Sequence, residues 1–333
     1  MESTVLSLLS ETDSSGPSHR EALARDVMTG LSAKQKRIPA KYHYDAEGSR
    51  LFNRITGLPE YYLTKAEIDA LSRNREAIAD CLDDQPVNLI EFGPGDGSKT
   101  HSLIGHMLQR GIPVRYVAVD ISQSALEQLA QEYNSTLPHL QVECLAADYL
   151  AGLRWLNERH HRRNVVLFLG SSIGNFSRKE SESFLRCLQG ELNAGDLLIT
   201  GFDLAKDPEL IRRAYNDSED VTAAFNLNVL RHINRKLDGR FDLSQFYYEA
   251  HYNQDDQVVK SYLYSRKQQG VHIGGLDRTF RFDRGESIHT EDSRKYRRSD
   301  IENLALRTGF AVRDHLFDRK RYFADSIWEV NSD

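Results

Sequence analysis

Apolar residues between positions 87 and 200 concentrate in short runs: 87–92, 114–119, 140–145, 165–169 and 196–200. Such runs predict strands, and 165–169, almost wholly apolar, predicts a central strand buried on both faces. Between them, 102–109, 122–132 and 179–192 carry the spacing of amphipathic helices. Strand alternating with helix predicts an α/β domain with a parallel, Rossmann-like sheet.

The pattern changes after Asp203. Residues 208–230 read as one helix. Residues 245–284 then alternate aromatic or aliphatic with polar side chains (Phe246, Tyr248; Val259, Ser261, Leu263; Val271, Ile273; Phe280, Phe282), which predicts an antiparallel meander with one wet face. A helix over 299–308 and strands over 311–316 and 326–330 complete the sheet. Upstream, residues 1–19 form a Ser-rich polar arm, a helix starts near Arg20, and 34–39 is a basic linker. Thr64 reads as an N-cap with Glu67 as its capping-box partner, for a helix to about position 79. The α/β domain is therefore discontinuous, 67–205 with 295–333, and a second α+β lobe comes from 20–66 with 206–294.

The junctions after the strands carry the chemistry. The first run ends in Gly93-Pro-Gly95-Asp-Gly97-Ser98, a tight turn where backbone approaches a ligand at a helix N-terminus. The place a dinucleotide fingerprint keeps for its last glycine holds Ser98, which disfavours NAD and FAD. No phosphate-loop G-x-x-x-x-G-K-[ST] occurs. The second strand ends in Asp120, placed to accept from ribose hydroxyls, and the third leads to Asp148 and Tyr149, an acid and a ring suited to adenine. Glycine turn, strand–Asp, strand–Asp is the order expected for S-adenosylmethionine (SAM). A Rossmann-like domain for another nucleotide shares much of it.

Composition narrows the partners. The chain has 333 residues, 40% hydrophobic and 28% charged, with net charge −6. That balance is ordinary for a globular protein and argues against nucleic acid. Three cysteines without metal spacing read as buried thiols of a reducing compartment. No run reaches the length of a membrane span and no apolar signal core opens the chain, so a cytoplasmic, metal-free monomer is expected.

Longer blocks carry a resemblance. Lys41-Tyr-His-Tyr-Asp45 with Gly48-Ser49, Leu58-Pro-Glu-Tyr-Tyr62, Phe168-Leu-Gly-Ser-Ser-Ile-Gly-Asn175, Thr222-Ala-Ala-Phe-Asn226 and Thr290-Glu-Asp-Ser293 resemble the histidine α-N-methyltransferases of ergothioneine biosynthesis. The resemblance implies three methyl transfers from SAM to the α-amine of L-histidine. It implies cofactor contacts at Tyr61, Gly93, Lys99, Asp120, Asp148 and Tyr149, with Lys99 on the methionine carboxylate. Asn175 and Tyr215 match the pair on the substrate carboxylate, Glu291 and Ser293 the pair on the imidazole. Tyr44, Phe52 and Gly170 match residues around the substrate and its α-amine, Tyr44 beside the departing proton. Ser261 stands where familiar members carry a methionine that lines the imidazole pocket, so the pocket is expected to be roomier or to hold a water. The Gly95–Asp96–Gly97 turn carries a glycine where the family varies, and no effect is expected from it. Two alternatives remain at this point: an α-N-methyltransferase of another aromatic amino acid such as tryptophan, and a non-catalytic SAM-binding module.

Overall fold

The computed structural model describes residues 4–8 and 19–331. Its strands are, in chain order, β1 (Thr4–Ser7), β2 (Lys36–Arg37), β3 (Val87–Phe92), β4 (Val114–Asp120), β5 (Gln141–Ala146), β6 (Arg163–Phe168), β7 (Leu197–Asp203), β8 (Phe246–Asn253), β9 (Val258–Ser265), β10 (Gln269–Ile273), β11 (Arg278–Phe282), β12 (Ser287–Arg294), β13 (Phe310–Phe317) and β14 (Phe323–Val330). The described residues fall into two compact units: 4–8, 63–205 and 295–331 in the first, 19–62 and 206–294 in the second.

The first unit is built on an eight-stranded sheet in the order β1-β5-β4-β3-β6-β7-β14-β13, parallel from β1 to β7 and antiparallel for β14 and β13. Helices cover both faces, so every residue of β3 and β7 is buried, the polar Asn88, Glu91, Thr200 and Asp203 included. Leu89, Tyr116, Cys144 and Val165 face one core; Ile90, Val117, Leu145 and Val166 face the other. The strand order reverses between β3 and β6, so the crevice outside their carboxyl ends is the place this fold offers a ligand.

The polar arm expected over 1–19 is corrected at its start: Thr4–Ser7 adds a parallel strand to β5, with Val5 packed against the core. The free backbone groups along β5 reward any extended segment that brings an apolar side chain. Residues 9–18 of that arm lie outside the described residues. Thr64 caps nothing, because the helix Tyr62–Arg73 already includes it and a second helix, Arg75–Asp80, follows. The basic linker is in part strand: β2 pairs in parallel with β12.

The second unit carries a four-stranded sheet, β2-β12-β9-β8, and a separate β10-β11 hairpin. The expected single meander therefore splits, since β12 returns to β9 and leaves β10 and β11 to pair with each other. The helix expected over 208–230 is two helices, Pro208–Tyr215 and Val221–Leu237. Asp217 makes the break: its carboxylate accepts from the backbone N–H groups of Val221 (2.9 Å) and Thr222 (2.8 Å) and so starts a new helix. Val229, Leu230, Ile233 and Leu237 of the second helix pack on Leu263, Phe282 and Ile288.

The chain leaves the first unit after Ala205 and re-enters at Lys295. Those two points are tied inside the first unit. Leu204 bridges Tyr296, and Lys295 Nζ donates to Asp203 Oδ2 at 2.8 Å with both side chains fully buried. Breaking such a pair leaves a buried charge without its counter-ion. Lys295→Met is expected to cost about 3–5 kcal/mol in urea unfolding, and the double change Asp203→Leu/Lys295→Met clearly less than that. Equal losses in the single and double variants would remove this pair as the determinant.

Candidate active site

In the first unit the expected cofactor residues stand at the carboxyl ends of parallel strands. Gly93 follows β3, Asp120 ends β4, and Asp148 and Tyr149 follow β5; Gly170, expected beside the substrate, follows β6. Backbone bonds level these ends: Gly93 N–H donates to Val119 O (2.9 Å) and Ala147 N–H to Asp120 O (2.9 Å). Gly93, Gly95 and Gly97 take φ values of +65°, +62° and +73°, so only glycine follows this path without strain. A Cβ on Gly93 would stand 3.0 Å from the Tyr149 hydroxyl, closing the cradle between turn and ring. Tyr149 lies flat on Phe92, ring centroids 4.8 Å apart. Position 97 is not neutral, since a side chain there would collide with Leu129 and crowd Tyr133.

Burial raises the Asp120 carboxyl pKa, against backbone N–H donors that favour its ionised form; Ser122 N–H is one, at 2.8 Å. Asp148 caps the following helix, accepting from the N–H groups of Leu150 and Ala151, and is exposed. Lys99 stands in the first turn of the helix Ser98–Gln109, which the glycine turn opens. Gly170 (φ +75°) and Ser171 (φ +55°) form a left-handed pair after β6, from which a short 3-10 turn, Ser172–Asn175, carries Asn175.

In the second unit two clusters form. The first is aromatic: Phe225 lies 5.5 Å from Tyr44 and 5.9 Å from Phe52, and Phe52 and Tyr215 lie 6.4 and 6.3 Å from Tyr61 between ring centroids. The preceding block holds this wall in place. Asp45 caps the helix Ala46–Gly57 through Gly48 N–H and accepts from Asn228, while a side chain on Gly48 would collide with His43 O. His43 is structural, its Nδ1 on Ala40 O at 2.9 Å and its pKa pushed by burial to about 4.

The second cluster is polar and lies on the sheet. Glu291 in β12 stands opposite Ser261 in β9, next to a register shift at Thr290. Such a bulge re-aims the side chains beside it. Thr290 pins it by donating to Asn226 Oδ1 (2.7 Å) and Ser261 O (3.1 Å). Ser293, two residues on, shares a 2.7 Å hydrogen bond with the Tyr215 hydroxyl. Ser261 is buried, and its hydroxyl meets that of Tyr248 at 3.2 Å. The space expected beside serine is thus bordered by Tyr248, whose hydroxyl pKa is raised by burial and further by the nearby Glu291 charge.

Sequence reasoning gave no site role of their own to Phe225, Tyr248 and Glu67, which touch the expected residues Tyr44, Ser261 and Lys99. Glu67 was assigned to a cap, yet it shares a helix face with the buried Leu63, Ala66, Ala70 and Leu71, and a carboxylate on an apolar face is itself a signal. The expectation that every cysteine is buried is corrected at Cys187, which is exposed because Leu185 and Leu188 take the apolar face of its helix. Among the described residues no group of His, Cys, Asp or Glu is arranged to hold a metal, and no helix is long and apolar enough to cross a membrane.

Residues 23–330 match the family of SAM-dependent, histidine-specific methyltransferases. Histidine N-alpha-methyltransferase of Mycolicibacterium smegmatis is 38% identical over 282 residues, 84% of this chain and 86% of that protein. The protein of the same name from Mycobacterium tuberculosis is 39% identical over 277 residues, 83% and 85%. Ergothioneine biosynthesis protein 1 of Schizosaccharomyces pombe is 33% identical over 279 residues, 81% of this chain and 36% of that longer protein.

Beneath the glycine turn, Glu91 accepts from the Thr100 and Tyr116 hydroxyls at 2.6 Å each, and burial pushes its carboxyl up to about 7. The raised value means that the neutral acid stabilises the fold fully below the unfolded pKa of about 4.3, and that this contribution is lost as pH rises through about 7. Glu91→Gln keeps the acceptor and removes the titration. The stability of the variant relative to the wild type should rise by about 2–3 kcal/mol between about pH 4.5 and pH 8, read by denaturant unfolding. A difference that does not move with pH would show that Glu91 titrates normally.

Proposed function

The chain belongs to the SAM-dependent, histidine-specific methyltransferase family, and from that premise we propose that it moves three methyl groups in succession from SAM to the α-amino nitrogen of L-histidine. The product is the trimethyl betaine, and the step belongs to ergothioneine biosynthesis. One observation carries the substrate reading: Glu291, beside a pinned bulge and flanked by Ser293 and Ser261, makes the wall of the second unit polar and anionic. An apolar ring would strip the carboxylate of solvent and return no hydrogen bond. An imidazole N–H returns one.

The residues present suit the cofactor. The glycine cradle leaves room that a Cβ on Gly93 would fill, and our reading gives the ribose hydroxyls to Asp120, adenine to Asp148 and Tyr149, and the methionine carboxylate to Lys99. When bound, SAM supplies a methyl group on a positively charged sulfur. The chain's own task is to present the amine neutral and aligned. Histidine arrives mostly as the ammonium, and desolvation among Tyr44, Phe52, Tyr61 and Phe225 lowers its pKa so that the proton leaves past Tyr44. The same ring faces attract the quaternary ammonium that the third transfer creates. Alignment supplies most of the rate, because no anion develops for an oxyanion hole to hold.

We also read the protein as a cytoplasmic monomer. The free, exposed Cys187 fits a reducing compartment, and the exposed large hydrophobic residues Leu6, Ile68, Ile121 and Leu306 come from four different segments. A dimer in sedimentation equilibrium would contradict this.

Two measurements test the assignment. Asp120→Ala removes the ribose acceptor, and calorimetry should show SAM affinity falling at least about tenfold; unchanged affinity removes Asp120 from the site. Glu291→Ala should cost histidine kcat/KM about 2–4 kcal/mol while relative activity on tryptophan rises. A wild type that prefers tryptophan, or a histidine-to-tryptophan ratio untouched by the change, would overturn histidine as the substrate.

A further inference from the structure

One carboxylate in the first unit has no role in the reaction as assigned, yet it joins the two turns that flank the ligand crevice. Glu67, on the helix Tyr62–Arg73, is 1% exposed. Its Oε2 accepts from Lys99 Nζ at 3.0 Å and its Oε1 from Gly170 N–H at 2.5 Å. Lys99 belongs to the helix that the glycine turn after β3 opens, and Gly170 to the turn after β6, the strands on either side of the reversal in strand order.

Two glycines leave space for this arrangement. Gly201 lies within the fully buried β7, where a glycine weakens a strand and marks a close approach. A Cβ there would collide with Glu67 Oε1 and stand 3.0 Å from the Phe323 ring. A Cβ on Gly170 would stand 3.2 Å from Lys99 Nζ, so the ammonium sits directly against that turn.

We infer that Glu67 is a positioning residue for the cofactor: it holds the Lys99 ammonium, charged and in one rotamer, beside the Gly170 turn, where it meets the carboxylate of SAM. This rests on the cofactor reading of Lys99. A free lysine side chain loses much rotamer freedom on binding a carboxylate, and Glu67 removes that loss in advance. It also keeps the charge. Three acids face Lys99, namely Glu67 from its helix, Glu91 from β3 and Asp325 from β14. Burial alone would lower the ammonium pKa, but the carboxylates outweigh it and hold the value above that of an ordinary lysine, Glu67 foremost. Asp325 cannot replace Glu67: burial raises its carboxyl pKa, and neither of its oxygens has a hydrogen-bond partner among the described residues.

The test is a double-mutant cycle of Glu67→Gln and Lys99→Met, with SAM and S-adenosylhomocysteine affinities read by calorimetry. Glu67→Gln keeps an acceptor for Gly170 N–H and removes the charge. It should weaken SAM binding about tenfold or more near pH 7.5, leaving kcat at saturating SAM within about twofold. The ratio of variant to wild-type dissociation constants should widen towards about pH 9.5, because Lys99 without its partner loses its proton there. In the Lys99→Met background the same change should add less than about twofold. A folded Glu67→Gln protein with wild-type affinity, a ratio flat with pH, or additive losses would overturn the inference and reduce Glu67 to a structural ion pair. If Glu67→Gln does not fold, carbon-13 lysine spectra of the wild type decide: the Lys99 resonance should move on saturation with S-adenosylhomocysteine, and a stationary one overturns the inference. A wild type that binds neither cofactor form would instead sink the cofactor reading itself.

Discussion

The buried Asp203–Lys295 pair is the constraint on which the arrangement of this chain depends. A polypeptide that interrupts one domain with 89 residues of another, 206–294, must bring its two crossing points together. Here they are joined by an ion pair with both side chains fully buried, by the Leu204–Tyr296 bridge and by the Phe202–Tyr296 ring contact at 4.9 Å. Two charges taken from water repay little net stability even when paired. What they supply is a penalty for any other pairing of these ends. The same corner sets the turn after β6, because Asp203 N–H donates to Ser171 Oγ and Tyr296 donates to Ile173 O, so the crossing point and the Gly170–Asn175 turn are held as one piece.

The two units divide the chemistry by solvation. In the first, charge is concentrated in a dry interior: Glu67, Glu91 and Asp325 face the Lys99 ammonium, and burial raises the carboxyl pKa of Glu91 and Asp325. In the second, hydroxyls and rings do the work. Tyr215 with Ser293 and Tyr248 with Ser261 are paired neutral groups, which satisfy one another at little electrostatic cost, and Glu291 is the acid set among them. An anionic acceptor among neutral partners gives a site directional preference, since a ligand that brings no donor leaves it desolvated. Ser261 has the Tyr248 hydroxyl beside it at 3.2 Å.

What the amino-acid order determined by itself was everything that neighbours in sequence decide. Buried parallel strands read as short, largely apolar runs, the Gly93–Gly97 turn announces itself because positive φ requires glycine, and Asp120 and Asp148 follow from their places at strand ends. The family blocks located the aromatic and polar walls before any distance was known. The local reading failed where the partner is remote in sequence. Glu67 looked like the partner of Thr64, three residues away, but its real partners are Lys99 and Gly170, 32 and 103 residues on. Residues 34–39 looked like linker until β12 offered β2 an edge, and the break at Asn216–Asp220 is invisible until Asp217 is seen to accept from Val221 and Thr222. Tyr248 meets Ser261 only because β8 pairs with β9, where Tyr248 stands opposite Leu263 and its hydroxyl reaches that of Ser261. The reason is physical: periodicity and backbone preference are settled within a few residues, whereas the free energy of a buried polar group depends on which donor or acceptor the fold places opposite it, and only the tertiary structure decides that.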